Sequence, residues 1–316
     1  MRKQIDEYLS HLTQERRLSA NTVSAYRNDL CQLTRYLGTP RAAALMPEAE
    51  GSTQSDVARE QILDFVLELR ERGYAPATIA RKVAATRSLF HFLSERGDIG
   101  RDPTSDLGSP EVRKPLPRTL SVRDVALLLD RAERKGGADG LRDRAMFHLL
   151  YSTGMRVTEL VSLDVSDADL ETNQVRCVGR GGRERRVPLE EGARQALLEY
   201  LQRGRVVLNR SGESESALFL NQRGDRLTRQ GFWLLMKALA RESGILAPVT
   251  PHTLRHSFAA HRLRDGVALE RLRELLGHAN ISTTQIYTQV HLNTARHEAA
   301  SSQPDSRAAE LTPVSQ

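Results

Sequence analysis

Lysine is scarce in this chain of 316 residues, since only five of its 46 lysine and arginine side chains are lysine. The formal net charge is +6, so the basic excess is carried almost entirely by arginine. A basic balance of this kind is typical of proteins with a polyanionic partner, most simply nucleic acid. The bias toward arginine can also come from a GC-rich genome, so it does not by itself identify a site.

Long apolar runs and cysteines are also few. No run of 18 apolar residues exists, so no transmembrane helix is expected, and the opening MRKQIDEYLSHL has no apolar export signal. The two cysteines, Cys31 and Cys177, lie far apart without metal-ligand spacing, which predicts no disulfide framework. We therefore expect a globular cytoplasmic protein with no membrane partner, long enough for two domains with separate cores.

The motifs of nucleotide hydrolysis and metal catalysis are absent as well. The sequence has no G-x-x-x-x-G-K-[ST] loop, no H-E-x-x-H, no paired C-x-x-C and no nucleophilic serine elbow. The short GRGG at 179–182 lies in a predicted hairpin and is poor evidence for a dinucleotide site. We therefore expect no cofactor and no metal, so a phosphate-handling site would stabilise charge with side chains alone.

Helical apolar spacing dominates the first third of the chain. It predicts four helices, at residues 3–13, 19–37, 57–72 and 76–96, which form a basic domain. Small and turn residues at 38–56 predict a flexible loop. Four prolines within 102–120 predict an extended linker.

The second part of the chain is also predicted to be mainly helical. Ser121 is a candidate N-cap, Gly154 a helix-ending glycine, and the alternation within 174–189 predicts a β-hairpin. Further helices are expected at residues 190–204, 228–243, 252–265 and 268–276. The fold class is therefore mainly α with a small antiparallel β element. We divide the chain into a helical domain of residues 1–107, a linker of 108–118, a second domain of 119–296 and a polar tail of 297–316, which we expect to be disordered at its end.

The stretch LLGHANISTTQIYTQV, residues 275–290, contains a tyrosine of unclear purpose. Ser282 and Gln285 form an S-x-x-Q pattern that predicts a capping box and a helix start. Ile286 and Val290 would share the apolar face of that helix, with Tyr287 turned about 100° away from it. On this pattern alone Tyr287 is not an obvious core residue.

The stretch TPHTLRHSFAAH, residues 250–261, predicts an anion site. The Thr-Pro pair at 250–251 opens a helix, and His252 and Arg255 follow three residues apart within its first two turns. Free backbone N–H groups and the positive end of the helix dipole favour an anion there. The same pattern also fits a solvated Arg255 and a His252 that only caps the helix. His256 and His261 are interpreted as structural histidines.

Two more segments offer phosphate ligands. In STGMRVTELVSL, Arg156 follows a glycine break and precedes Glu159 by three residues. This spacing predicts an ordinary ion pair, but an arginine held by a carboxylate is also how a phosphate clamp is built. His278 follows Gly277 at a predicted helix end, nine residues before Tyr287.

Four motifs in this order resemble one family: TGMRVTELVSL, GRGGRERRVPL, HTLRHSFAAH and LGHANISTTQIYT. With YLSHLTQERRLSANTVSAYRNDL near the N-terminus, residues 3–292 resemble the Xer-type tyrosine recombinases of the phage integrase family. The resemblance implies a two-domain clamp around double-stranded DNA, working as a tetramer on two DNA sites. It also implies site-specific recombination through a 3′-phosphotyrosyl intermediate and a Holliday junction, without metal or ATP. A paralogous recombinase and a DNA translocase are further partners that it suggests.

The resemblance also assigns roles to residues. Tyr287 would be the nucleophile, and Arg156 and Arg255 would hold the non-bridging phosphate oxygens and stabilise the transition state. His252 would be a general base or proton shuttle, because a tyrosine of ordinary pKa, about 10, is a weak nucleophile at neutral pH. His278 would hydrogen-bond the phosphate.

One position departs from the family. Its hairpin normally carries a lysine that acts as general acid toward the leaving 5′-oxygen, and this chain has Arg180 there. Arginine does not readily give up a proton. A catalytically silent DNA-binding protein of the same fold is therefore an alternative, and a type IB topoisomerase-like activity is another. The role could be resolution of chromosome dimers, plasmids or transposons, or integration of an element.

Overall fold

The computed structural model describes residues 1–45, 57–108, 116–209 and 216–290, apart from the side chain of Arg180. The chain divides into two compact units, Met1–Lys114 and Pro115–Gln316. The architecture is mainly helical with one small antiparallel sheet, which confirms the predicted fold class. Among the described helices, none has the length and apolar character needed to cross a membrane.

The first unit is built from helices around an apolar core. Ser19 caps the second helix as predicted, since its Oγ accepts from the N–H of Thr22 at 3.3 Å. Leu30, Leu33 and Leu89 are completely buried at the centre of the core. The described helices of this unit are α1 (Arg2–Gln14), α2 (Ala20–Leu37), α3 (Pro40–Ala43), α4 (Arg59–Glu71) and α5 (Pro76–Glu95).

Two segments predicted to be irregular are ordered in part. The predicted loop 38–56 contains the short helix α3, because Pro40 occupies its first turn and Thr39 Oγ1 accepts from the N–H of Ala42. The predicted linker 102–120 begins with a turn held by Asp102, and Leu107 is buried in the core of the first unit. Both predictions are wrong for these residues, and 46–56 and 109–115 lie outside the described residues.

The second unit packs its helices around the longest one, α7. Ser121 caps α6 as predicted, and α7 ends at Gly154, which has φ +60°. A Cβ at Gly154 would lie 2.3 Å from Cδ1 of Phe258, so both the conformation and the close approach require glycine.

The first helices of this unit are α6 (Val122–Glu133), α7 (Gly137–Thr153), α8 (Val157–Ser162) and α9 (Glu191–Glu199), which a π-helical turn (Tyr200–Gly204) joins to α10 (Arg205–Leu208). Then come α11 (Arg229–Glu242), α12 (Pro251–Arg264) and α13 (Leu269–Leu276).

The predicted hairpin is present and gains a third strand. Strands β2 (Gln174–Val178) and β3 (Glu184–Pro188) pair antiparallel, and the two-residue β1 (Ala168–Asp169), which was not predicted, pairs with β2. Val175 and Val187 are paired and buried, as is Cys177 on the same face. This places one face of the hairpin against the core of the second unit.

The last described helix, α14, covers residues 282–290. Its start differs from the predicted capping box, because Asn280 Oδ1 accepts from the N–H and the hydroxyl of Ser282. Gln285 instead begins the helical hydrogen bonds through its backbone N–H to Ile281 O. The predicted polar tail, 297–316, lies outside the described residues.

The buried face of α14 also differs from the prediction. Thr284, Tyr287 and Val290 are buried, whereas Ile286 is only half-buried. The buried residues are spaced three apart and form the inward face of α14. Tyr287, which is 2% exposed, lies on this face and belongs to one buried cluster with Phe258 and Leu272. The expectation that Tyr287 is not a core residue is therefore wrong.

Candidate active site

Arg255 occupies the centre of the candidate site. It is 4% exposed on α12, and its Nη1 donates to Gly154 O at 2.6 Å while its Nη2 donates to Leu276 O at 2.7 Å. These carbonyls belong to the ends of α7 and α13, where helices leave backbone acceptors free. Burial, with a contribution from the charge of Arg156, lowers the pKa of Arg255 to about 10. The guanidinium therefore stays charged at neutral pH and is fixed by three helices.

Arg156 lies at the start of α8 and forms the predicted pair with Glu159. Its Nη1 donates to Glu159 Oε1 at 3.1 Å, and its backbone N–H donates to Oε2 at 2.7 Å. Glu159 is buried, and Arg185 on β3 donates to both of its oxygens. Burial raises the pKa of Glu159, but the hydrogen bonds and charges of Arg185 and Arg156 outweigh burial and lower it overall. The Arg156 side chain remains 37% exposed and can meet a ligand.

His278 contacts Arg255 directly. Its Nε2 lies 3.0 Å from Arg255 Nη2, and its Nδ1 lies 2.9 Å from the hydroxyl of Thr284. Because a guanidinium only donates, Nε2 is the acceptor and Nδ1 carries the proton toward Thr284. Burial, then the charges of Arg255 and Arg156, lower the pKa of His278 to about 4. The imidazole is therefore neutral at pH 7.

Tyr287 lies beside this group, with its ring centroid 6.5 Å from that of His278. Its hydroxyl oxygen is 2.8 Å from Nδ1 of His256. Burial raises the pKa of Tyr287, although the charges of Arg255 and Arg156 act in the opposite direction. The phenol is thus protonated at neutral pH.

His252 is placed differently from the other candidates. It is exposed in the first turn of α12, and its ring centroid is 6.5 Å from that of His256. Within the described part of the chain, no hydrogen bond joins His252 to Arg255 or Tyr287. His256 therefore lies between the exposed His252 and the buried tyrosine.

Arg180 begins the 3₁₀ turn Arg180–Gly182 between β2 and β3. Its side chain lies outside the described part of the structure. The role expected for it, at the leaving oxygen, stays a prediction from the resemblance.

Sequence reasoning missed three residues that the structure brings to the site: Arg185, His256 and Thr284. Arg185 could have been found, because it precedes Val187 by two residues and a strand places both on the core face. A cation on that face needs a buried partner. The other two depend on how α14 packs, which the sequence pattern did not reveal.

The site therefore joins two guanidinium groups, a neutral imidazole and a buried phenol, a set suited to binding a phosphodiester next to a nucleophile. Residues 118–294 match the model of the phage integrase family, and residues 5–97 match that of the phage integrase N-terminal SAM-like domain. The chain belongs to the phage integrase family, as a tyrosine recombinase of the Xer type.

Curated relatives match the sequence of this recombinase along nearly its whole length. It is 49% identical over 315 residues to the tyrosine recombinase XerC of Roseiflexus castenholzii, covering 99% of this chain and 96% of the relative. It is 42% identical over 286 residues to the tyrosine recombinase XerD of Listeria innocua, covering 90% of this chain and 93% of the relative.

Solved structures share the fold of this recombinase at lower identity. The XerH site-specific recombinase in a post-cleavage complex with a palindromic difH substrate aligns with TM-score 0.73 and 22% identity. That alignment covers 96% of this chain and 89% of the XerH chain. A lambda integrase tetramer bound to a Holliday junction aligns with TM-score 0.69 and 16% identity, over 90% of this chain and 76% of the integrase chain.

Proposed function

We propose that this recombinase cuts and rejoins double-stranded DNA through Tyr287. The phenol oxygen forms a bond to a backbone phosphorus, and the bond from phosphorus to the 5′-oxygen breaks. This leaves a 3′-phosphotyrosyl link and a free 5′-hydroxyl. A 5′-hydroxyl of a partner strand then attacks the link, releases the tyrosine and builds a Holliday junction, which a second round resolves. The phosphotyrosyl bond retains the energy of the broken ester, so the scheme uses no ATP.

The observation that carries this proposal is the fixed guanidinium of Arg255 among Arg156, His278 and Tyr287. Arg255 and Arg156 form the phosphate clamp, which holds the non-bridging oxygens and stabilises the charge that develops on them. His278 is assigned a hydrogen bond to the same phosphate, which requires that in the DNA complex its proton moves to Nε2 and that Nε2 gives up its contact with Arg255. Arg255, Arg156 and His278 lie near Tyr287, so the nucleophile is close to the groups that stabilise the charge.

Proton removal from Tyr287 is assigned to His252. This histidine is exposed and can meet the DNA, whereas His256 is half-buried and already bonded to the phenol. The ring of His252 lies 6.5 Å from that of His256, which holds the Tyr287 hydroxyl, so a hydroxyl released from His256 would find a second histidine close by. His252 is the histidine available there.

The partners follow from the same scheme. The net charge of +6 suits double-stranded DNA, and we infer a tetramer on two DNA sites by analogy with the lambda integrase tetramer on a Holliday junction. Similarity to both XerC and XerD relatives supports a paralogous recombinase as a second type of subunit. A DNA translocase is a further proposed partner. Chromosomal, plasmid or integrative-element DNA in the cytoplasm would be the substrate.

A nicked suicide substrate tests the proposal. Cleavage beside the nick releases the short oligonucleotide that carries the free 5′-hydroxyl. The covalent protein–DNA adduct therefore accumulates, and it survives denaturation. The wild-type protein should form this adduct and Tyr287→Phe should not, while Tyr287→Phe should bind the same DNA, since affinity comes mainly from phosphate contacts elsewhere. An adduct formed by Tyr287→Phe would show that another residue is the nucleophile. A wild-type protein that binds but never forms an adduct would favour the silent DNA-binding alternative.

A further inference from the structure

Arg185 is a cation on the core-facing side of a strand. In the hairpin register it lies opposite the buried Cys177, whereas its neighbour Arg186 lies opposite Arg176 on the outer face. Only 12% of the Arg185 side chain is exposed. A buried guanidinium without partners would be strongly destabilising, so its contacts explain why it is there.

Those contacts join two separate parts of the site. Nη1 and Nη2 of Arg185 donate to the two oxygens of Glu159 at 2.9 and 2.8 Å, and Nε donates to Leu275 O at 2.8 Å. Gly277, at φ +64°, leaves the space for this approach, because a Cβ there would be 2.9 Å from Nη1. The planar fork therefore connects the carboxylate on α8 to the end of α13.

At α8, one buried carboxylate is shared by two guanidinium groups. Glu159 accepts from Arg185 and from the Nη1 and backbone N–H of Arg156. Since Arg185 is the more buried of the two, it is the natural counter-ion of Glu159. One carboxylate cannot neutralise two guanidinium groups, so the three side chains keep a net charge of +1, which the more exposed Arg156 presents to an anionic ligand.

At α13, the bond from Arg185 fixes the helix end that orients Arg255. Leu275 O accepts from Arg185, and the next carbonyl, Leu276 O, accepts from Arg255. His278, two residues further on, contacts Arg255 as well. Loss of the Arg185 bond would free a segment that holds the second half of the phosphate clamp.

We propose that Arg185 is a positioning residue for the phosphate clamp, neutralising Glu159 so that Arg156 can hold the scissile phosphate and fixing the end of α13 beside Arg255. This inference rests on the proposed cleavage by Tyr287. The two are separable, because adduct formation by the wild-type protein tests the cleavage and the variants below test Arg185.

The test compares Arg185→Gln with Arg186→Gln, which removes the same charge from the outer face of the same strand. Single-turnover cleavage of the suicide substrate is measured at saturating DNA, and DNA affinity and thermal unfolding are measured alongside. Arg185→Gln should lower the cleavage rate about 10²-fold, close to the loss of one charge-stabilising donor, with DNA affinity changed less than about threefold. Arg185→Lys, with one donor group in place of the fork, should be intermediate. Arg186→Gln should cleave near the wild-type rate.

The double variant Glu159→Gln/Arg185→Gln separates charge neutralisation from a merely structural role. With no carboxylate left to pair with Arg156, it should cleave at least about tenfold faster than Arg185→Gln alone.

A substrate with an uncharged methylphosphonate at the scissile position should also show a smaller defect for Arg185→Gln, because it has less charge to stabilise. If Arg185→Gln does not fold, Arg185→Lys and Glu159→Gln/Arg185→Lys carry the same comparison. A double variant as slow as the single one, with equal defects on both substrates, would overturn the proposal, as would wild-type cleavage by a folded Arg185→Gln.

Discussion

The imidazole of His256 and the phenol of Tyr287 are joined by a hydrogen bond of 2.8 Å between Nδ1 and the hydroxyl oxygen. Burial, then the neighbouring His252 and Arg255, lower the pKa of His256 to about 4, so it is neutral and a weak base. The phenol, whose pKa is raised, donates to it and remains protonated. The contact therefore holds the tyrosine and does not activate it.

This relationship predicts different effects for two histidines one turn apart on α12. His252→Asn should slow cleavage of the suicide substrate about 10²-fold, the low end of the range for a general base. His256→Asn places an amide oxygen near the position of Nδ1, so it should keep the hydrogen bond and cleave within about tenfold of the wild type. Single-turnover rates at saturating DNA measure both. The reverse order of the two defects would assign the proton acceptor to His256.

Arg255→Ala should raise the barrier to cleavage by roughly 3–4 kcal/mol, the range for losing one charge-stabilising donor. Arg255→Lys should recover only part of this, because an ammonium cannot donate in a fork to Gly154 O and Leu276 O. The measurement is the single-turnover rate at saturating DNA. Normal cleavage by a folded Arg255→Ala would refute the clamp assignment.

Arg180→Lys should raise the cleavage rate, because lysine gives up its proton far more readily than arginine does. A general acid typically contributes about 10²–10⁴ in rate, so a poor donor at this position limits the departure of the 5′-oxygen. The rates of the wild type and Arg180→Lys on the same suicide substrate measure the gain.

A substrate with sulfur at the 5′-bridging position gives an independent control, since a thiolate leaves without protonation. The wild type should cleave it much faster than the oxygen substrate, and Arg180→Lys should show a smaller ratio. Equal wild-type rates on both substrates would mean that protonation of the leaving group is not limiting.

Acidification should destabilise the folded protein. His256 and His278 have pKa values of about 4 in place of 6.5, so between these values the unfolded chain binds more protons. The free energy of unfolding therefore decreases as pH falls from about 6.5 toward 4. Denaturant titrations between about pH 7.5 and 5 measure the decrease, which should be smaller in His278→Asn.

The sequence by itself determined most of the secondary-structure elements and most of the candidate site residues. Apolar spacing and caps such as Ser19, Ser121 and Gly154 predicted helices and their ends, because these features act within a few residues of chain. The Arg156–Glu159 pair could be predicted for the same reason, since residues three apart on a helix are neighbours. The four motifs named the family, which the comparisons confirm.

Only the tertiary structure decided how these groups meet. Tyr287 is buried because α14 turns a face of Thr284, Tyr287 and Val290 inward, and that rotation depends on the surfaces of α12 and α13. The bonds of Tyr287 to His256 and of Arg185 to Glu159 join residues 31 and 26 positions apart. Such contacts follow from the packing of separate elements against one another, which no local pattern encodes.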